Sequence, residues 1–205
     1  MNTNPKKIFK SIQALSGWRE SAFLLALAER ALPNAALLLD SIDALDLDPE
    51  VYPKGLVSLM DASWLALVLV PDEERIIEAL DSVVANVVVD DLDNYGVLPS
   101  NDCMGLWEQA LLSGLNRDKK RAPEGSQISL ATVTQFIEFS EGEGLSEDQL
   151  VRLFSKHDLV VREFSFQEEC ADILRASQGP SAGFIKGLRE LAQDEGISNI
   201  GIALE

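Results

Sequence analysis

Apolar residues recur along most of this chain at three- and four-residue intervals, the spacing of one helical face. Phe23, Leu24, Leu27, Ala31 and Leu32 form a first stripe, and the apolar Ala35 to Leu39 stretch follows Pro33-Asn34. A second helix is expected within Gly55 to Leu69, where Leu56, Leu59, Met60, Ser63, Trp64 and Leu67 share a side. Pro71, a residue favoured in a first turn, precedes Asp72, Glu73 and Glu74, which complement the positive end of a helix dipole. Ile76, Ile77, Leu80, Val83, Val84, Val87 and Val88 then follow a helical period, which outweighs the strand preference of valine.

The spacing predicts a helix over Asn101 to Leu115 with Met104, Leu111 and Leu115 inward. Another carries Leu130, Val133, Phe136 and Ile137 and ends near Gly142 and Gly144. Between them, Arg117 to Gln127 is polar, contains Pro123 and Gly125, and reads as a loop and the one seam of the chain. Ser146 and Gln149 have capping-box spacing, and Asp158 is placed to cap a helix bearing Val161, Phe164, Cys170, Ile173 and Leu174. Gly179-Pro180 stops that helix. A last one holds Ile185, Leu188 and Leu191 and closes at Gly196, after which Ile200 to Leu204 alternates at period two and is expected to be extended. The expected fold is all-α: residues 1–205 as a single-domain bundle of about eight or nine helices with a short extended C-terminal tail.

Composition supports a packed interior. The chain has 205 residues, 46% of them apolar, and a chain of this size buries roughly 70% of its unfolded surface without disulfides or metals. Its 17 Lys and Arg face 34 Asp and Glu, a net charge of −17. Such a surface repels phosphate backbones and anionic bilayers, so neither nucleic acid nor a membrane is expected as a partner. The charge is uneven: residues 40–93 hold fourteen acids against Lys54 and Arg75, whereas the first 19 residues are +4 and Arg117 to Arg121 is a second basic island. Cys103 and Cys170 are far apart and match neither a disulfide framework nor a zinc site. The first rich apolar run begins at Ala22 behind Arg19 and Glu20 and carries Glu29 and Arg30, unlike a secretory signal. Trp64 to Val70, seven apolar residues, is far short of a span. A cytoplasmic location is expected.

Three patterns carry a resemblance. Trp18 is followed by Phe23, Glu29-Arg30 and Pro33-Asn34; Tyr95-Gly96-Val97 precedes Pro99 and Asp102; Gly187-Leu188-Arg189 runs through Gly196 to Ser198-Asn199-Ile200-Gly201-Ile202. Together they resemble the YjaG-like family of bacterial proteins, a domain of unknown function. The resemblance implies a helical single-domain fold and supplies no mechanism.

Little else in the chain carries chemistry. His157 is the only histidine and lies at a helix junction, where it suits a solvated or capping role better than a triad or a zinc site. Nucleotide-binding glycine loops and the Glu-x-x-His of di-iron bundles are absent. Asp91, Asp93 and Asp102 imitate an EF-hand loop, but Tyr95 and Pro99 occupy ligand positions, so an interhelical turn is preferred and no metal or cofactor is expected. The crowded acids Asp40, Asp43, Asp46, Asp48 and Glu50, and Asp90, Asp91 and Asp93, read as solvated faces.

Glu29-Arg30 stands out, because charges on an apolar central helix require partners. An ion pair with another helix, involving Arg189 or Asp102, would supply them. A polar pocket would use the same residues differently, with Glu29, Arg30, Tyr95, Asp102 and Arg189 as ligand-binding candidates and Trp18 beside them. The leading expectation is a non-enzymatic helical protein that acts through a protein partner or self-association. An enzyme or small-ligand binder with a pocket inside the bundle is the alternative, and an acidic DNA mimic is a distant third.

Overall fold

The structure, a computed structural model, describes residues 5–41, 54–89 and 94–203. Among these lie nine α-helices: α1 (Pro5–Gln13), α2 (Trp18–Ala31), α3 (Lys54–Trp64), α4 (Glu73–Ala85), α5 (Val97–Leu115), α6 (Ala122–Glu141), α7 (Glu147–Phe154), α8 (Asp158–Ala176) and α9 (Ala182–Gln193). A 3-10 stretch, Leu32–Ser41, continues α2; a π-helical turn, Leu65–Leu69, continues α3; a 3-10 turn, Asp194–Gly196, closes α9. The all-α multi-helix class expected from periodicity is what the chain adopts.

Helix α2 is the axis of the bundle. Every residue from Glu20 to Ala31 is buried, Glu20, Ser21, Glu29 and Arg30 included, and α3, α5, α6, α8 and α9 pack around it. The stretch Trp18–Leu38 is long and apolar enough to cross a membrane, and 89% of its most apolar window is covered by the rest of the protein. Trp64, Ala66, Leu67 and Val68 are also interior, which places most of the Trp64–Val70 run in the core; Leu65 and Val70 face out.

Several boundaries depart from expectation, each for a physical reason. Helix α6 begins at Ala122, so Pro123 and Gly125 are helical and the expected loop is shorter. The carboxylate of Glu20 accepts the backbone N–H groups of Arg121 (2.7 Å) and Ala122 (3.0 Å), and so caps α6 from another helix. Gly125 is a packing glycine, since a Cβ there would lie 2.3 Å from the Leu24 side chain on α2. Helix α5 starts at Val97, not Asn101, because a proline in the first turn lacks only an N–H that would have no helical partner. Helix α4 ends at Ala85, before Val87 and Val88. Both amide ends of Asn101 pair with the Val88 backbone, at 2.9 and 2.7 Å, and hold that run off the helix.

His157, not Asp158, caps α8: its Nδ1 accepts the Leu159 N–H at 3.2 Å, which leaves Nε2 to donate to Glu141 at 3.1 Å. Ser146 and Gln149 form the expected capping box. The tail, expected to be extended, turns back on itself as a hook whose ends, Ile197 and Ala203, pair in an antiparallel bridge. Ile202 O accepts from Ser198 N–H, Ser198 Oγ accepts from the N–H groups of Ile200 and Ile202, and Gly201 supplies the left-handed turn at φ 87°. Ile200 is buried with Val133, Ile137 and Val160, and Ile202 packs against the same cluster. Asp43, Asp46, Asp48, Glu50, Asp90, Asp91 and Asp93 lie outside the described residues, and with them most of the crowded acids and the first half of the calcium-like loop.

Candidate functional site

Glu29 and Arg30 are neighbours on α2 and point into different polar clusters. Glu29 is 4% exposed and accepts five hydrogen bonds: one from Trp64 Nε1 (2.8 Å), three from Arg189 (2.7 to 3.1 Å) and one from Gln193 Nε2 (2.9 Å). Arg189 also donates to Asp61 at 2.6 Å. Burial opposes the charge of Arg189, but its bonds to Glu29 and Asp61 outweigh that and hold the guanidinium above its ordinary range. The cluster ties α2 to α3 and α9. It also floors a cleft of about 200 Å³ walled by Leu32, Pro33, Val57 and Met60.

Arg30 turns toward α8. Its Nε donates to Glu163 at 3.2 Å and its Nη1 to Asp194 at 3.2 Å, while the guanidinium stacks 4.5 Å from the Phe166 ring. Glu163 is fully buried and also accepts from Ser129 (2.7 Å) and Gln167 (2.8 Å). Arg162 joins the edge of this cluster, pairing with Asp194 at 3.7 Å and donating to the Ser198 carbonyl of the hook. Burial first, and the nearby Arg30 charge second, lower the Arg162 pKa. Asn199 of the hook accepts from the buried Asn34 at 3.0 Å and lies against Ser129. The C-terminal hook is thereby locked to the 3-10 stretch that follows α2 and to α6.

Tyr95 and Asp102 form a third place. Tyr95 stacks on Phe139 with 4.1 Å between ring centres, and Asp102 accepts from Thr132 Oγ1 at 2.7 Å. Burial raises the Asp102 carboxyl, opposed by the Thr132 bond. Burial, helped by the Asp102 charge, pushes Tyr95 up to about 12. Both thiols, Cys103 and Cys170, are raised by complete burial. Of the five candidate residues, the structure brings Glu29 and Arg189 together, places Arg30 in the adjoining cluster, and sets Tyr95 with Asp102 elsewhere, between α5 and α6. Trp18 packs edge-on against Phe184, at 5.9 Å between ring centres. Among the described residues no three His, Cys, Asp or Glu side chains converge as a metal site.

A surface feature went unread in the sequence. Helix α4 buries Ile76, Ala79 and Val83, but Ile77 is 45% exposed and Val84 50%, with partly buried Leu80 between them. The spacing i, i+3, i+7 puts these three on one stripe, open to solvent at Ile77 and Val84 and packed against the core at Leu80. The signal was present: consecutive pairs, Ile76-Ile77 and Val83-Val84, make an apolar arc wider than the face α4 turns to α3, α5 and the π-helical turn. Exposed Glu73 and Asp81 are the i−4 and i+4 neighbours of Ile77, and Glu74 is its i−3 neighbour. None of these three acids pairs with a described cation; Arg75 pairs with Asp72 at 3.4 Å. Elsewhere, Lys120 donates to the Leu15 carbonyl, which sets the second basic island beside the α1–α2 junction.

The family model described as "Protein of unknown function (DUF416)" matches residues 7–203. The uncharacterized protein YjaG of Escherichia coli strain K12 is 28% identical to the chain over 215 residues, covering 100% of both. Its Salmonella typhimurium counterpart is 28% identical over 206 residues, covering 98% of each. The crystal structure of a DUF416 family protein from Shewanella baltica OS155 superposes with a TM-score of 0.80 at 25% identity, covering 96% of this chain and 98% of that one.

Proposed function

The chain belongs to the DUF416 family of proteins of unknown function, and on that premise we propose that it is a non-enzymatic cytoplasmic protein that binds a partner protein through the outward face of α4. The observation that carries this reading is the exposed pair Ile77 and Val84, two turns apart on one face of α4 with partly buried Leu80 between them, an apolar surface of the kind that interfaces cover. The interior charges support it from the other side, since Glu29 is bonded to α3 and α9, Arg30 to Glu163 on α8, and Glu163 to α6, so that they act as ties. The test is a pull-down from bacterial lysate at low and high salt, with wild type beside the double substitution Ile77→Ser, Val84→Ser. A protein retained by wild type and lost from the variant supports the reading; the same proteins on both would sink it.

A second reading, a small-ligand binder, is favoured by the cleft over Glu29 and Arg189, whose apolar walls and polar floor match small-molecule sites in kind. A thermal-shift screen of small amides and amines tests it, with an Arg189→Ala control that should abolish any hit.

A further inference from the structure

We infer that the occupant of the α4 face is a basic amphipathic helix of a partner protein. The inference rests on the interaction reading above and adds the chemistry of the partner. Two features of one surface select it. The stripe Ile77, Leu80, Val84, open to solvent at Ile77 and Val84 and partly covered at Leu80, repeats at helical spacing over about 10 Å of axis, the pattern an apolar helical face meets when two helices pack side by side. Its flank is negative: Glu73, Glu74 and Asp81 stand within one turn of Ile77, are exposed, and pair with no described cation. Lys or Arg side chains bordering a partner's apolar face would lie against these carboxylates. That complementarity speeds encounter and fixes orientation.

The same charges argue against two other occupants. A second copy related by a two-fold axis would set α4 against α4 and bring acids against acids. An acidic amphipathic helix would meet the same repulsion. The sequence around α4 extends the trend, because residues 40–93 hold fourteen acids and two bases.

Three designed helical peptides of equal length test this by fluorescence anisotropy: one of Leu and Lys, one of Leu and Glu, and one of Ser and Lys. Wild type should bind the Leu/Lys peptide, with affinity that falls as salt rises, and should bind the other two at least roughly tenfold more weakly. Ile77→Ser, Val84→Ser should weaken the Leu/Lys peptide by roughly tenfold at unchanged net charge. Glu73→Gln, Glu74→Gln, Asp81→Asn should weaken it and flatten its salt dependence, whereas Glu147→Gln, Asp148→Asn on α7 should leave it unchanged.

Equal binding to wild type and all variants means diffuse attraction to an acidic protein and overturns the inference. So does tighter binding of the Leu/Glu peptide, or a wild-type dimer in sedimentation that the Ile77→Ser, Val84→Ser variant dissociates. If no peptide binds while the lysate partner is still lost from the α4 variant, the partner chemistry fails and the interaction reading stands. If both are negative, both fail.

Discussion

Helices α2 and α4 are of similar length, 14 and 13 residues, and both mix charge with aliphatic side chains, yet they are used in opposite ways. In α2 every charge after Arg19 is buried and every one has a partner on another helix: Glu20 at the start of α6, Glu29 on α3 and α9, Arg30 on α8. In α4 Glu73, Glu74, Glu78 and Asp81 are exposed and pair with no described cation, while two large aliphatics share the surface with them. An unpaired charge in the interior costs several kcal/mol, so α2 could be central only if its ions were tied. Water removes that constraint from α4, and what is left unsatisfied there is apolar area. The contrast separates charges that hold the fold from charges left to solvent.

The largest expected effect is in α2. Arg30→Ala would strand the fully buried Glu163 and should cost about 3–5 kcal/mol in urea denaturation. Pairing it with Glu163→Gln should recover part of that loss, and a cost under about 1 kcal/mol for the single variant would break the contrast. Deleting residues 198–205 removes buried Ser198, Asn199 and Ile200 and the bond from Asn34, and should cost about 2–4 kcal/mol. An unchanged melting temperature would show that the hook is not a tie.

On α4, Ile77→Ser with Val84→Ser should shift stability by no more than about 1 kcal/mol, because both side chains are already near half exposed. Circular dichroism melts of this variant, run beside its binding assay, would sharpen the division between holding and binding.

Asp102→Asn should show the smallest effect. Burial raises the folded-state pKa of Asp102, so its contribution is complete below the unfolded pKa and is lost as pH rises through the folded one. Wild type should therefore lose stability relative to the variant as pH rises above the ordinary carboxylate range and through the raised folded-state pKa, with the variant equal or slightly more stable once Asp102 is ionised. Thr132 can still donate to the Asn oxygen. A steeper loss in the variant would show that the charged form is the one the fold prefers.

Much of this was legible in the chain. The stripes of α2 and α4, the capping box at Ser146 and the need for partners at Glu29-Arg30 follow from spacing and desolvation. The sequence offers Arg189 as one of those partners, but not Asp61, Trp64, Gln193 or Glu163. Glu163 and Gln167 had a readable signal, since with Cys170 and Leu174 they fall at intervals of four, three and four, which puts two polar groups in an inward register. The partners of Glu29 on α9 lie 160 and 164 residues away in sequence, and no local rule reaches them.

Periodicity and composition by themselves determined that the chain is helical, that α2 is apolar enough to be central, and that its acidity is concentrated between residues 40 and 93. These are properties of neighbouring side chains on a 3.6-residue turn and need no tertiary contact. Only the packed structure decided where α6 begins, why the valines at 87 and 88 leave α4, how the tail becomes a hook and which charges pair. In each of these cases a backbone N–H, a carbonyl or a buried ion is satisfied by a group far along the chain. The requirement is written locally, and the group that meets it is chosen by packing.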